Sequence, residues 1–328
     1  MPIELIIVIA LALLFDFLNG IHDSSNIVAT MISSRAFRPR TALTMTAASH
    51  FLAPFIFGVA VAKTIGEEVA TTGALTLHVI TACLISAILW NLITWFLGIP
   101  SSSSHALIGG LVGAVAVGAG FEAIKLSGLE KVLIALFTSP LVGFVLGFLL
   151  MRVIFFLVRG ATPGINEFFK RAQLVTALGM SFSHGTNDAQ KTMGIITLSL
   201  VIGGVLPEFQ VPVWVIAASA GSIALGTALG GWRLIRTLGG KFYKIRPVHS
   251  FASQLTSGVV ILTASLFGGP VSTTQVVSSA IIGVGSSERL GKVRWSVAGD
   301  IATAWVVTIP VTALLSAGIY LLLVKISV

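Results

Sequence analysis

The residues that could do chemistry in this chain fall in two copies of one polar motif. Gly20-Ile21-His22-Asp23-Ser24-Ser25-Asn26 and Gly185-Thr186-Asn187-Asp188-Ala189-Gln190-Lys191 lie 165 residues apart, each inside an apolar stretch. A carboxylate at membrane depth costs about 2.5–3.5 kcal/mol even on the lenient insertion scale, so such a group is read as functional. Asp23, Asn26, Asn187 and Asp188 offer hard oxygen donors, which suit Na+ or a proton relay. Lys191 stands three residues after Asp188, where it either pairs with that carboxylate or attracts an anion. His22 and His184 flank the two aspartates and are open to a proton-coupling role. Asp16, earlier in the first stretch, has Ser181 and no acid as its counterpart, and reads as structural or as a local relay.

A second pair of segments repeats at an offset of 170. Pro100-Ser101-Ser102-Ser103-Ser104-His105 matches Pro270-Val271-Ser272-Thr273-Thr274-Gln275. Proline removes a backbone donor and ends a helix, and the hydroxyls that follow can start the next one. Such breaks free backbone N–H groups and aim helix N-termini at one point. Ser102, Ser103, Ser104, Ser272, Thr273 and Thr274 are therefore the expected ligands of an oxyanion such as phosphate. Donors for an anion beside carboxylates for a cation describe a symporter. The carboxylates repel the anion until a cation or proton neutralises them, which is a physical basis for coupling. Thr138-Ser139-Pro140 and Thr308-Ile309-Pro310 repeat at the same offset, placing Glu130 opposite Asp300 near helix ends.

These groups need elements to carry them. The chain has 328 residues, 55% hydrophobic and 10% charged, with mean hydropathy +1.00. A soluble domain carries about 25% charged residues. Several apolar runs exceed 18 residues, which gives an all-α polytopic membrane protein. The formal charge of +8 does not point to nucleic acid. Fifteen of the 20 basic residues cluster in loops that fall on one side of a membrane: Arg35–Arg40, Arg152–Arg171, Arg233–Arg246 and Arg289–Arg294. That is the positive-inside pattern. The lone Cys83 excludes a disulfide framework and a cysteine metal site.

The charge pattern gives a topology with both termini outside. Residues 3–34 run inward with an interruption at Asn19–Asn26, and residues 41–62 return to an outer loop holding Lys63, Glu67 and Glu68. Residues 74–118 form a Ser-tipped hairpin, and 129–158 cross inward. Residues 172–206 run outward with an interruption at His184–Lys191, 212–232 come in, 249–286 form a Ser/Thr-tipped hairpin, and 295–324 go out. The expected architecture is two inverted-topology repeats, 1–171 and 172–328, each with a broken first helix and a Ser/Thr-tipped re-entrant hairpin, with the site where they meet. The N-terminus is read as the first span and not a cleaved signal. A passive anion channel is disfavoured by the buried carboxylates. An intramembrane hydrolase using Ser103 or Thr273 lacks a visible base.

The motifs resemble those of the inorganic phosphate transporter (PiT) family, whose hallmark is a duplicated G-x-N-D-x-x-N-type sequence. Asn19 to Thr30 resembles the first copy, and Ser183 to Gly194 the bacterial form of the second. Pro270-Val271-Ser272-Thr273-Thr274 and Gly230-Gly231-Trp232 are also similar to family segments. The resemblance covers nearly the whole chain. It implies a homodimer in the cell (inner) membrane, not an enzyme, that moves phosphate with Na+ or H+ and uses no cofactor. Sulfate and metal–phosphate are alternative cargoes. It implies phosphate and ion ligands at Asp23, Asn26, Asn187 and Asp188, at Ser102 to Ser104, and at Ser272 to Thr274. His22 stands where the family usually has Asn, which leaves Na+ and H+ both open.

Overall fold

The computed structural model describes residues 2–65 and 72–327, so Glu67 and Glu68 of the expected outer loop lie outside the described residues. Those residues form helices and turns, with no strand. In chain order the helices are α1 (Ile3–Ser33), α2 (Pro39–Phe57), α3 (Ala60–Lys63), α4 (Leu77–Leu97), α5 (Ser103–Gly118), α6 (Leu126–Leu157), α7 (Ile165–Ile202), α8 (Val213–Leu229), α9 (Trp232–Gly240), α10 (Pro247–Leu266), α11 (Thr273–Glu288) and α12 (Trp295–Ser327). Among the described residues α1, α4, α6 and α12 are long and apolar enough to cross a membrane. The pair α8 and α9, bent by 71° at Gly230-Gly231, makes a fifth candidate. The 38 residues of α7 give a rod about 57 Å long at the usual 1.5 Å rise. Its polar middle, not its length, keeps it outside that set.

One expectation is corrected. The first helix of each half is not broken: α1 runs through Asn19–Asn26 and α7 through His184–Lys191 without interruption. Polar side chains inside a helix can satisfy themselves on the preceding turn. Ser24 donates to the Ile21 carbonyl at 2.8 Å and Ser25 to that of His22 at 2.9 Å. Ser183 and Thr186 do the same to Gly179 and Phe182 at 2.7 and 2.8 Å. The remaining polar groups face other helices. Asp16, Asn19, Asp23 and Asn26 recur at helical spacing along one inward stripe of α1, all at most 1% exposed.

The two hairpins are broken where the sequence says. Gly98 and Gly268 adopt left-handed φ of 70° and 72°, a conformation glycine enters without steric cost and that ends helices. Pro100 and Pro270 follow in the extended links. Ser102 and Ser272 then cap the next helices, accepting from the His105 and Gln275 amides at 3.2 and 3.3 Å. The helices so started, α5 and α11, are each 16 residues long and begin 170 residues apart.

Packing crosses between the halves. The helix α11 lies on α6 and α5 on α12, while α1 lies on α8 and α7 on α2. Small residues permit these contacts. A Cβ on Gly113 would meet the Ala313 backbone, and one on Gly283, its equivalent at 170, would meet that of Phe144. The outer faces of α6 and α12 expose Leu141, Val145, Leu149, Val306 and Leu314, an apolar belt suited to acyl chains.

Candidate functional site

Four segments converge at mid-chain depth: the middle of α1, the middle of α7 and the tips before α5 and α11. Thr273, the first residue of α11, sits between the two aspartates. Its Oγ1 lies 3.4 Å from Asp23 Oδ2 and 3.1 Å from Asp188 Oδ2. Thr274 donates to Asp23 Oδ1 at 2.9 Å and accepts from Asn26 Nδ2 at 3.0 Å. One tip therefore serves both carboxylates. The residues that make these contacts are at most 2% exposed, so the site is sealed from water in this conformation.

Lys191 answers the question its spacing raised. Its ammonium pairs with Asp188 Oδ1 and also donates to the Val271 carbonyl at 3.2 Å. Ser104 Oγ donates to the same carbonyl at 3.1 Å. The first tip thus reaches the second through Val271. Ser102 is occupied in capping and in a 2.7 Å contact with His105 Nδ1. His105 Nε2 and Gln275 Nε2 lie 3.4 Å apart, and these residues are themselves equivalents at 170. Turning the Gln275 amide over would bring its unpartnered oxygen toward that ring nitrogen. The hydroxyls expected to act symmetrically are not used symmetrically: Thr273 and Thr274 bind carboxylates, whereas Ser102 and Ser104 fasten the tips.

The asparagines divide their functions. Asn187 Nδ2 donates to Ser265 Oγ at 2.8 Å and to the Gly269 carbonyl at 3.2 Å, holding the approach to the second tip. The Oδ1 atoms of Asn26 and Asn187 are buried acceptors with no hydrogen-bond partner among the described residues. His22 Nδ1 lies 3.1 Å from Asp23 Oδ1. His184 Nδ1 lies 3.1 Å from Asp188 Oδ2, but out of line for a hydrogen bond, and its ring stacks on His50 at 5.0 Å. Ligand atoms of Asp23, His184 and Asp188 all fall within 4.8 Å of one another. Sequence reasoning had placed His184 only beside the motif; its position one turn before Asp188 was the available signal. Ser265, Gln275 and the Val271 carbonyl were not singled out, because a partner from another helix leaves no trace in local spacing. Asp16 is buried, with neither oxygen hydrogen-bonded among the described residues, whereas Glu130 and Asp300 are exposed.

With both carboxylates ionised, Asp23, Asp188 and Lys191 carry one net negative charge in a dry setting. Beside them the N-termini of α5 and α11 present first-turn amides and hydroxyls, the chemistry of an anion cradle. Such a donor set has the chemistry to suit a cation at the carboxylates and an oxyanion at the helix starts.

The sequence pattern of the phosphate transporter family matches residues 19–316. The chain belongs to this family. It is 47% identical to a probable low-affinity inorganic phosphate transporter of Rhizobium meliloti, over 95% of this chain and 94% of that protein. It is 44% identical to a protein of the same description from Bacillus subtilis, over 97% and 96%. Among solved structures, one described as the sodium-dependent phosphate transporter superposes with a TM-score of 0.89 at 24% identity. The match covers 98% of this chain and 99% of that one, and it shows a shared fold. This transporter is thus a multi-pass membrane protein and not an enzyme.

Proposed function

We propose that the protein imports inorganic phosphate by secondary active symport with Na+ or H+, through alternating access of the site between Asp23 and Asp188. What carries the reading is the Thr273 hydroxyl set between two buried carboxylates. The net negative charge left after Lys191 pairs with Asp188 disfavours an entering anion. A cation bound by Asp23, Asp188 and the free Oδ1 atoms of Asn26 and Asn187 removes that barrier. The oxyanion then meets Thr273, Thr274, Ser103, Ser104 and the amides behind them. Lys191 is the positioning residue that holds Asp188 against the second tip.

The proposal takes residues 1–171 and 172–328 as inverted repeats. Reciprocal packing supports this, as do tip residues His105 and Gln275 meeting across a 170-residue offset. It places the arginine-rich loops in the cytoplasm and both termini outside, in the cell membrane. The sealed conformation suits a transporter that opens to one side at a time, and a passive channel has no use for it. The names of the relatives supply phosphate as the cargo.

Reconstituted protein is expected to accumulate labelled phosphate above its external concentration when an inward Na+ or H+ gradient is imposed, and only then. Imposing the two gradients separately identifies the ion. Uptake indifferent to both gradients would refute symport, and labelled sulfate outcompeting phosphate would reassign the cargo.

A further inference from the structure

A concavity of about 590 Å³ lies away from the carboxylates, within the size range of small-ligand sites. It is framed by Ser33, Ser34 and Arg35 at the end of α1, by the segment joining α9 to α10, and by Arg294 just before α12. Four lining side chains are cationic, namely Arg35, Lys244, Arg246 and Arg294, and none is acidic. Arg246 is partnered, its Nη2 lying 2.6 Å from Glu288 Oε2. Arg35, Lys244 and Arg294 make no ion pair among the described residues.

The positive-inside pattern accounts for an excess of cations on one side, but not for their convergence. Splayed into solvent they would serve topology equally well without repelling one another. Here they come from three elements to one hollow. Arg35 is the one non-glycine residue with positive φ among the described residues, 57°, and its turn brings the chain out of α1 at the rim. The hollow also receives the first residue of α10, Pro247, and the residue preceding α12. The N-terminal ends of two long helices thus add their positive dipole ends to the side-chain charges.

We propose that this hollow is a second anion site, separate from the transport site, that binds a phosphoryl-bearing anion from the cytoplasmic side. The ligand bridges Arg35, Lys244 and Arg294, either as a soluble phosphate chain or as a lipid phosphate headgroup. The side assigned rests on the orientation given above. Because α1 carries Asp23 and α10 leads to the Thr273 tip, an anion bridging their inner ends braces the closed form of the site.

The test titrates inorganic tripolyphosphate into the purified full-length protein by calorimetry. Saturable binding is expected, weakening with salt. It should fall at least tenfold in the Arg35→Asn/Arg294→Gln variant and persist in Asp23→Asn. Asparagine tolerates the left-handed backbone at position 35. Should the double variant misfold, Lys244→Gln alters an exposed side chain with no hydrogen bond among the described residues and should weaken binding alone. A second arm compares nanodiscs of phosphatidylcholine with discs containing phosphatidic acid. Competition by the acidic lipid identifies a headgroup as the ligand, and its absence identifies a soluble anion. Binding lost in Asp23→Asn but kept in the other variants, or no saturable binding in any medium, overturns the proposal. Failure of phosphate uptake with tripolyphosphate binding intact would count against symport and leave this site standing.

Discussion

Asp188→Asn is expected to cost the protein both its transport and its stability, whereas Asp23→Asn should cost transport alone. The two aspartates look equivalent in the motif, but their partners differ. Asp188 neutralises Lys191, whose side chain is fully buried, and which also donates to the Val271 carbonyl. Removing the carboxylate strands an ammonium in a dry interior, a change that costs about 3–5 kcal/mol. Asp23 is held by His22, Thr273 and Thr274, and its loss strands no full charge. In a thermal-unfolding assay Asp23→Asn is expected to stay near the wild type and Asp188→Asn to fall well below both. The double variant Asp188→Asn/Lys191→Met should regain most of the lost stability and still show uptake at least a hundredfold below wild type. Recovery of transport in the double variant would show that Asp188 serves only to pair with Lys191.

The second large effect is expected at Thr273. Its single hydroxyl proton can be given to only one carboxylate at a time, so the contacts at 3.4 and 3.1 Å to Asp23 and Asp188 share one donor. Thr273→Val keeps the shape and removes the donor. Leaving a buried charged acceptor unsatisfied costs about 1–3 kcal/mol, and about 1.4 kcal/mol is a tenfold change in a binding constant. Uptake at sub-saturating phosphate should therefore fall about ten- to hundredfold. Thr273→Ser should remain within a few-fold of wild type. Equal loss in both variants would assign Thr273 a packing role in place of a hydroxyl role.

Particular elements show how far the sequence could be read. The hairpin breaks were legible because Gly98, Pro100 and Ser102, and again Gly268, Pro270 and Ser272, spell a helix stop, an extended link and a helix start in local chemistry. The Lys191–Asp188 pair was legible for the same reason, being one helical turn apart. The unbroken course of α1 and α7 was not. A polar run inside an apolar helix reads as an interruption, and only the neighbouring helices reveal that the polar groups point at partners. Nor could the sequence say that Thr273 and Thr274 would take both carboxylates while Ser102 and Ser104 fasten the tips, since both tips stand at equivalent positions in the repeat. The basic hollow was visible only as three separate loop clusters, which read as topology. Their convergence depends on the end of α1 meeting the starts of α10 and α12.

The central claim is that the Asp23–Asp188 pair makes phosphate binding depend on a cation, and thermodynamic linkage measures this directly. Phosphate should be titrated into purified protein with and without Na+, at two pH values, in the wild type and in Asp23→Asn. The account predicts that Na+ or a lower pH tightens phosphate binding at least tenfold in the wild type, and that Asp23→Asn abolishes that dependence. Phosphate affinity that ignores both Na+ and pH in the wild type would contradict it.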